Sequence, residues 1–272
     1  MARRVVFCRT RHVYQSYTDF WRLVDASEFE MRYIDEIDLA DEDAIYIFTP
    51  MNGEIVPCLS KTRRAKVIWW HLERPGIDPT THSSLDTLDG LIDAVWVSDR
   101  WAAKLDSRFS YAFMASEKRI AHPLATDHLH ERSYDVAMLA YVWGRRQHVV
   151  DELLGRGIKL APNAWGKEEQ DRVLAETRLV LNVHQYEDSP MVAPIRFAVA
   201  AAYGIPIVTE ALREGQQRGY IARVRFELLA RIVSDVLDPI NGDFLAKAGY
   251  ELHREFCVDT DFHREIEKRL NL

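Results

Sequence analysis

The chain has 272 residues, of which 47% are apolar and 28% charged, and its formal net charge is −7. That is a globular composition, enough for one large domain or two small ones, and with only 12 glycines and 10 prolines it excludes collagen-like and low-complexity classes. The acidic balance excludes a molecule-wide basic footprint for nucleic acid and leaves only a local patch. No run approaches the roughly 18 apolar residues of a membrane span. The opening Met-Ala-Arg-Arg and four apolar residues are too short for a signal peptide. Cys8, Cys58 and Cys257 are an odd number at wide spacing and predict reduced thiols in the cytoplasm.

Short β-forming runs alternate with amphipathic segments along the chain. Val5 to Cys8 is a first strand, followed by a helix with Tyr17, Phe20, Trp21 and Val24 on one face. Ala44 to Thr49 is a strand stopped by Pro50 and the turn-prone Asn52-Gly53, and Lys66 to Leu72 is a strand stopped before Pro75. Ala94 to Ser98 is a strand, with Ser98 or Asp99 capping a helix that runs through Leu105. A weaker run, Arg119 to His122, ends at Pro123. A second series begins near residue 134: strands at 135–141, 158–161, 179–183 and 206–209, and helices at 145–154, 167–177, 195–203, 222–237 and 261–270. Strands separated by helices predict parallel sheets with crossover helices. The polar stretch Ala125 to Ser133 divides the chain into two βαβ halves, 1–127 and 128–272, with the last helix expected to pack back on the first half. In such folds ligands bind at the carboxyl ends of strands, or in the cleft between halves.

No GxGxxG, GxxxxGK[ST] or GxSxG occurs, which removes the usual dinucleotide loop, ATP loop and hydrolase elbow. Three strand ends carry chemistry instead. After residues 135–141, Gly144-Arg145-Arg146 opens a helix, and a helix start with two guanidinium forks suits phosphate. After residues 179–183, His184, Tyr186 and their polar neighbours occupy a loop, and Asn182, inside an apolar strand, requires a hydrogen-bond partner. His71 and Glu73, on alternate positions at the end of Trp69-Trp70-His71-Leu72-Glu73, leave the same side and suit proton transfer, or an ion pair of Glu73 with an arginine. Asp41-Glu42-Asp43 and Asp259-Thr260-Asp261 fit a DxD pattern, but neither follows a strong strand; with His122, His128 and His130 lacking a cysteine pair or HExxH, no metal site is expected. Arg9 and Arg11, with Arg3, Arg4 and Arg22, form a basic N-terminal stretch; Arg213, Arg218, Arg223, Arg225 and Arg231 form a second, and both also read as solvated faces.

From Tyr134 to about Leu212 the sequence resembles the two-Rossmann (GT-B) glycosyltransferases, in particular the small bacterial and phage branch similar to spore-maturation CgeB-like proteins. The likeness rests on Asp135 to Arg146, Trp165-Gly166-Lys167, Leu179 to Glu187, Arg196 before a small-residue helix, and a strand ending in Thr209-Glu210. Val67 to Pro75 is similar to the family's strand before Leu-Glu-Gln, with Glu73 matching. Ala140 stands for the family's phosphate-turn glycine, and Ala193 and Val199 or Ala200 stand where acidic residues flank the family's arginine. The resemblance implies two Rossmann-like domains facing each other across a cleft. It implies transfer of a sugar from a nucleotide-diphosphate donor, a UDP- or GDP-sugar, to an acceptor hydroxyl, without a metal or other cofactor. Arg145, Arg146, Asn182, His184, Tyr186, Arg196 and Glu210 would bind the donor, and His71 or Glu73 would serve as base. Arg9, Arg11 and Asn52 would face an acceptor, among which a hydroxymethylated base in phage DNA is one class. The missing carboxylates motivate the alternative, a catalytically silent binding or scaffold protein on the same fold.

Overall fold

A computed structural model describes residues 3–11, 18–49, 55–59, 62–72, 85–117, 131–187, 194–211 and 221–272. The chain divides into two compact units, residues 1–114 with 263–272, and residues 115–262. The expected division at 127–128, the Asn52-Gly53 turn, Glu73 to Pro75 and the Arg119–His122 run lie outside the described residues.

Unit one holds six parallel strands: β1 (Arg4–Arg9), β2 (Glu30–Tyr33), β3 (Ala44–Phe48), β4 (Lys66–His71), β5 (Ala94–Val97) and β6 (Phe109–Tyr111), in the order β2-β1-β3-β4-β5-β6. The inner strands are apolar because both faces are covered; every residue of β3 is buried. Helix α1 (Thr18–Ala26) turns Phe20, Trp21, Leu23 and Val24 inward. Phe20 meets Trp70 at 5.4 Å and 81°, and Trp70 meets Trp96 at 5.6 Å and 81°, the edge-to-face geometry that aromatic quadrupoles favour. The indole N–H of Trp70 donates to Ser98 Oγ at 2.8 Å. The strand order reverses between β1 and β3, which makes their carboxyl ends a topological switch point.

Unit two holds four parallel strands: β7 (Tyr134–Ala137), β8 (Thr177–Asn182), β9 (Ile207–Glu210) and β10 (Ala222–Val224), in the order β10-β9-β8-β7. A single bridge, Val136 to Leu160, continues the sheet past β7. The chain therefore leaves β7 on one side and returns to β8 on the other, so the switch point here lies between β7 and β8. The helices are α2 (Arg145–Gly155), α3 (Lys167–Leu174), α4 (Pro194–Ala202), α5 (Leu229–Val236) and α6 (Gly242–His253). The core is aliphatic: Val136, Val149, Leu153, Leu179, Leu181, Val208, Leu229, Val233 and Leu245. A Cβ on Gly249 would lie 2.0 Å from the carbonyl oxygen of Gly204, so α6 approaches that turn as only glycine permits.

A last helix, α7 (Phe262–Leu270), has its residues from His263 onward in unit one. His263 Nδ1–H donates to the Ser27 carbonyl at 2.8 Å, and the imidazole stacks on Phe29 at 4.4 Å and 4°. Two hydrogen bonds, Ser116 N to Phe256 O and Phe262 N to Ser116 O, both 2.8 Å, bring the segment before α7 beside residue 116.

Several elements differ from the sequence reading. Residues 222–224 form an edge strand, not the start of a helix. The strand expected at 135–141 ends at Ala137. The helix expected after Ser98 is a short 3-10 turn, Ala102–Lys104, although Asp99 Oδ1 does accept the N–H groups of Trp101 and Ala102 at 2.8 and 3.0 Å. Helix α6 and strands β2 and β6 are additional. Among the described residues no helix is long and apolar enough to cross a membrane.

Candidate functional site

The switch point of unit two gathers most of the residues singled out in its sequence. Gly144 begins α2 with φ +57° and ψ −128°, a conformation hostile to side chains, and nothing lies within 4 Å of where a Cβ would stand. The amino end of α2 thus presents its first-turn N–H groups beside the loop after β7. Arg145 does not extend into solvent. Its Nη1 and Nη2 donate to Glu210 Oε2 and Oε1, both at 2.8 Å, and its guanidinium carbon lies 4.0 Å from the centre of the Phe226 ring. Glu210 Oε2 also accepts the His184 backbone N–H at 2.8 Å. Three of the roughly four acceptor positions of that carboxylate are therefore occupied.

Arg146 is 4% exposed. Its Nε donates to the Val183 carbonyl at 3.0 Å and its Nη1 to the Tyr141 carbonyl at 3.1 Å. This side chain ties the loop after β7 to the loop after β8, so its geometry suits holding the two loops and not reaching an anion. His184 is 4% exposed, and Nε2–H donates to the Ala211 carbonyl at 3.0 Å, which fixes the tautomer. Asn182 finds the partners its burial demands: Nδ2 donates to Thr209 Oγ1 at 2.9 Å, and Oδ1 accepts from Arg196 Nη1 at 3.0 Å. Arg196, on the first turn of α4, is only partly buried. Arg196, Asn182, Thr209, Glu210, Arg145 and His184 make one connected polar chain across the ends of β8 and β9.

At this edge Tyr141 and Trp143, which the sequence did not single out as binding residues, join Tyr186, which it did. Tyr141 and Trp143 are 46% and 51% exposed; Tyr141 lies 5.0 Å from Trp165, and Trp143 meets Tyr186 edge-on at 6.1 Å. Their signal was present: two large aromatics in a loop that immediately precedes a glycine-started helix.

In unit one His71 ends β4, is 5% exposed and stacks on Trp69 at 4.3 Å and 20°. Glu73 and Asn52 lie outside the described residues. Arg9 and Arg11 place their guanidinium carbons 4.9 and 4.6 Å from the centre of the Tyr33 ring. Arg11 is bound to Asp35 at 2.7 Å, and that pairing raises the guanidinium pKa and lowers that of the carboxyl. The carboxyl ends of β1, β3, β4 and β5 are followed or closed by buried polar residues, Thr10, Thr49, His71 and Ser98.

The acidic triplets serve the fold where they are described: Asp41 pairs with Arg4 at 2.8 Å and its Oδ1 accepts the Asp43 N–H at 3.0 Å. Among the described residues no group of three or more His, Cys, Asp or Glu is placed to hold a metal ion. The three cysteines are free; Cys8 and Cys257 are buried and Cys58 is exposed. Burial pushes the Cys8 thiol well above its usual pKa and that of Cys257 up to about 12.

No protein-family model matches the sequence, and no curated protein is similar to it. Solved structures are similar in fold. A point mutant of S. aureus TarM, in complex with Fondaparinux, alpha-GlcNAc-glycerol and UDP, superposes with a TM-score of 0.58 at 14% identity, covering 85% of this chain and 55% of TarM. A second TarM structure gives 0.52 at 11% identity, covering 85% and 54%. The chain thus spans about half the length of TarM. An alpha-glucosyltransferase in complex with UDP and a 13-mer DNA gives 0.50 at 8% identity, covering 99% of this chain and 98% of that one. The fold is that of the GT-B glycosyltransferases, mixed α/β with parallel Rossmann-like sheets.

Proposed function

We propose that this chain is a glycosyltransferase that moves a sugar from a nucleoside-diphosphate donor, a UDP-sugar, to an acceptor hydroxyl. The observation that carries the reading is the switch point of unit two, where a glycine-started helix, a partly buried arginine and exposed aromatics converge on one strand edge. The amino end of α2 and Arg196 supply the positive charge for the diphosphate, the dominant electrostatic demand of the step. Arg145 is held by Glu210, so its charge acts as part of a pair; Arg146 preserves the loops. Tyr141, Trp143 and Tyr186 offer ring faces to the base and ribose, while His184 and Asn182 hold the positions of Glu210 and Arg196.

In the reaction the anomeric C–O bond to the diphosphate breaks with its electron pair, and a bond forms from the acceptor oxygen to the anomeric carbon. The acceptor proton passes to His71 or Glu73 if configuration inverts. Arg196 and the helix terminus meet the charge without a metal, so activity is expected to survive EDTA. Arg9, Arg11 and Asn52 belong to the acceptor side. DNA is the acceptor class to test first: the alpha-glucosyltransferase similar in fold was solved with UDP and DNA and matches this chain over nearly its whole length. The resemblance of Tyr134 to Leu212 to CgeB-like proteins supports the same reading, and the three free thiols suit a cytoplasmic enzyme.

The test is a thermal-shift panel of UDP, GDP, CDP, ADP and TDP with their sugar conjugates, on the wild type and on Arg196→Ala. A ligand in excess raises the melting temperature through mass action. Stabilisation by UDP and its conjugates that shrinks in Arg196→Ala is expected. No stabilisation by any nucleotide would sink the transferase reading in favour of a silent scaffold. Transfer of labelled sugar to hydroxymethylated DNA, with activity falling steeply as salt rises, would then identify the acceptor.

A further inference from the structure

Unit one carries a cleft at the amino ends of its strands, the end opposite to Thr10, Thr49, His71 and Ser98. Its volume is about 560 Å³, and it is lined by residues that precede or open β1, β4 and β5, among them Arg3, Arg63, Arg64, Lys66, Gly90 and Asp93. That volume falls within the usual range for ligand pockets, roughly 300–1,000 Å³, yet the wall is dominated by charge.

Four cations face one carboxylate, and that carboxylate is already engaged. Asp93 Oδ2 accepts Arg63 Nη2 at 2.8 Å and the Val67 N–H at 2.7 Å, while Arg63 Nη1 donates to the Gly90 carbonyl at 2.9 Å. The Arg63 side chain is only 7% exposed, so it forms a fixed floor paired with Asp93. Among the lining residues Arg3, Arg64 and Lys66 remain as an excess of three positive charges, or two when Glu42 beside Arg64 is counted. The ion pair of Arg64 is with Glu42 at 3.9 Å, between side chains 65% and 72% exposed, a geometry worth little in water. Among the described residues no carboxylate lies within ion-pair distance of Arg3 or Lys66. A local excess of this size, in a chain of net charge −7, gathers anions against the field of the whole molecule.

We propose that this cleft is a binding site for a compact phosphate-bearing anion of two or more phosphates, separate from the donor site of unit two. The cations converge on one concavity; they do not run along a surface, as the extended backbone of a duplex would require. Above the floor fixed by Arg63 and Asp93, the guanidinium forks of Arg3 and Arg64 suit bidentate contacts to adjacent phosphate groups and the Lys66 ammonium supplies a point charge. The proposal stands independently of the transferase reading.

The experiment is calorimetric titration of the full chain with sodium tripolyphosphate, performed on Arg196→Ala so that the proposed donor site is weakened, and repeated on the wild type with saturating UDP. Binding is expected in both. Adding Arg64→Ala, at an exposed position, and Lys66→Ala, at a half-buried one, should weaken it at least about ten-fold, roughly 1.4 kcal/mol. Lys66→Arg with Arg64 intact should retain it, which separates lost charge from lost folding. Absence of binding, binding indifferent to Arg64 and Lys66, or tighter binding of a duplex oligonucleotide through the same two residues would each overturn the proposal.

Discussion

Sheet one packs Phe7, Phe20, Trp70 and Trp96 in tilted and edge-to-face contacts, whereas sheet two packs the alanines of α4, the bare Cα of Gly249 and a set of valines and leucines. Large rings fill space at a distance and tolerate a sheet whose helices stand off. Small residues draw backbone close to backbone and leave no room for error. The polar content differs as well. The carboxyl edge of sheet one carries buried polar groups on successive strands, while that of sheet two carries a linked network running from Arg196 through Asn182, Thr209 and Glu210 to Arg145. In sheet one, then, removing atoms does the damage; in sheet two, adding an atom or breaking a link does.

The largest effect is expected for Trp70→Ala, which empties the centre of the aromatic cluster and frees Ser98. It should cost about 3–5 kcal/mol in denaturant unfolding. A loss below about 1 kcal/mol would mean that the cluster is not the core of its unit. Next, Glu210→Ala leaves Arg145 and the His184 N–H without their shared acceptor in a poorly solvated site. About 3 kcal/mol should be lost, with nucleotide stabilisation lost as well. Gly249→Ala tests the opposite principle by adding one methyl group against the Gly204 carbonyl; about 1–3 kcal/mol of destabilisation is expected, and a neutral result would show that α6 moves freely over that turn. Arg196→Ala should change stability by less than about 1 kcal/mol but weaken nucleotide binding about ten-fold, which is 1.4 kcal/mol.

The smallest effect concerns the thiols. One cysteine, Cys58, should react with a disulfide reagent in the native chain, and all three after denaturation. Because burial raises the pKa values of Cys8 and Cys257, the folded state holds those protons more firmly. Their contribution to stability is complete below the thiol's usual value near 9.0; for Cys257 it is lost as pH climbs towards about 12, and for Cys8 it falls in the same direction as pH rises. Native labelling of three thiols at neutral pH would contradict the burial.

The sequence-level reading found inner strands and missed edges. β3, β4, β5, β8 and β9 are covered on both faces and announce themselves as unbroken apolar runs. β2, β6 and β10 are the outermost strands of their sheets, three or four residues long, with Glu30, Arg32, Ser110 and Arg223 among them, and such strands have no apolar pattern to display. α6 was missed because its buried face is narrow, built on Leu245, Gly249 and Leu252. At the candidate site the demand for partners around Asn182 was legible from its place in an apolar strand. The pairing of Arg145 with Glu210, 65 residues apart, was not, since nothing local specifies which of 42 acidic side chains meets a given arginine.

The return of α7 to the first unit has a consequence for how the chain is made. On a ribosome the strands of sheet one emerge first, yet the helix that accepts contact with Ser27 and Phe29 emerges only after the whole of unit two. Domains generally fold as they leave the exit tunnel, so unit one must wait, with the Ser27 carbonyl and the Phe29 ring still uncovered, while its neighbour is translated. Unit one is therefore completed only by a segment made after unit two, and a chain cut before residue 263 would lack the helix that covers the Ser27 carbonyl and the Phe29 ring.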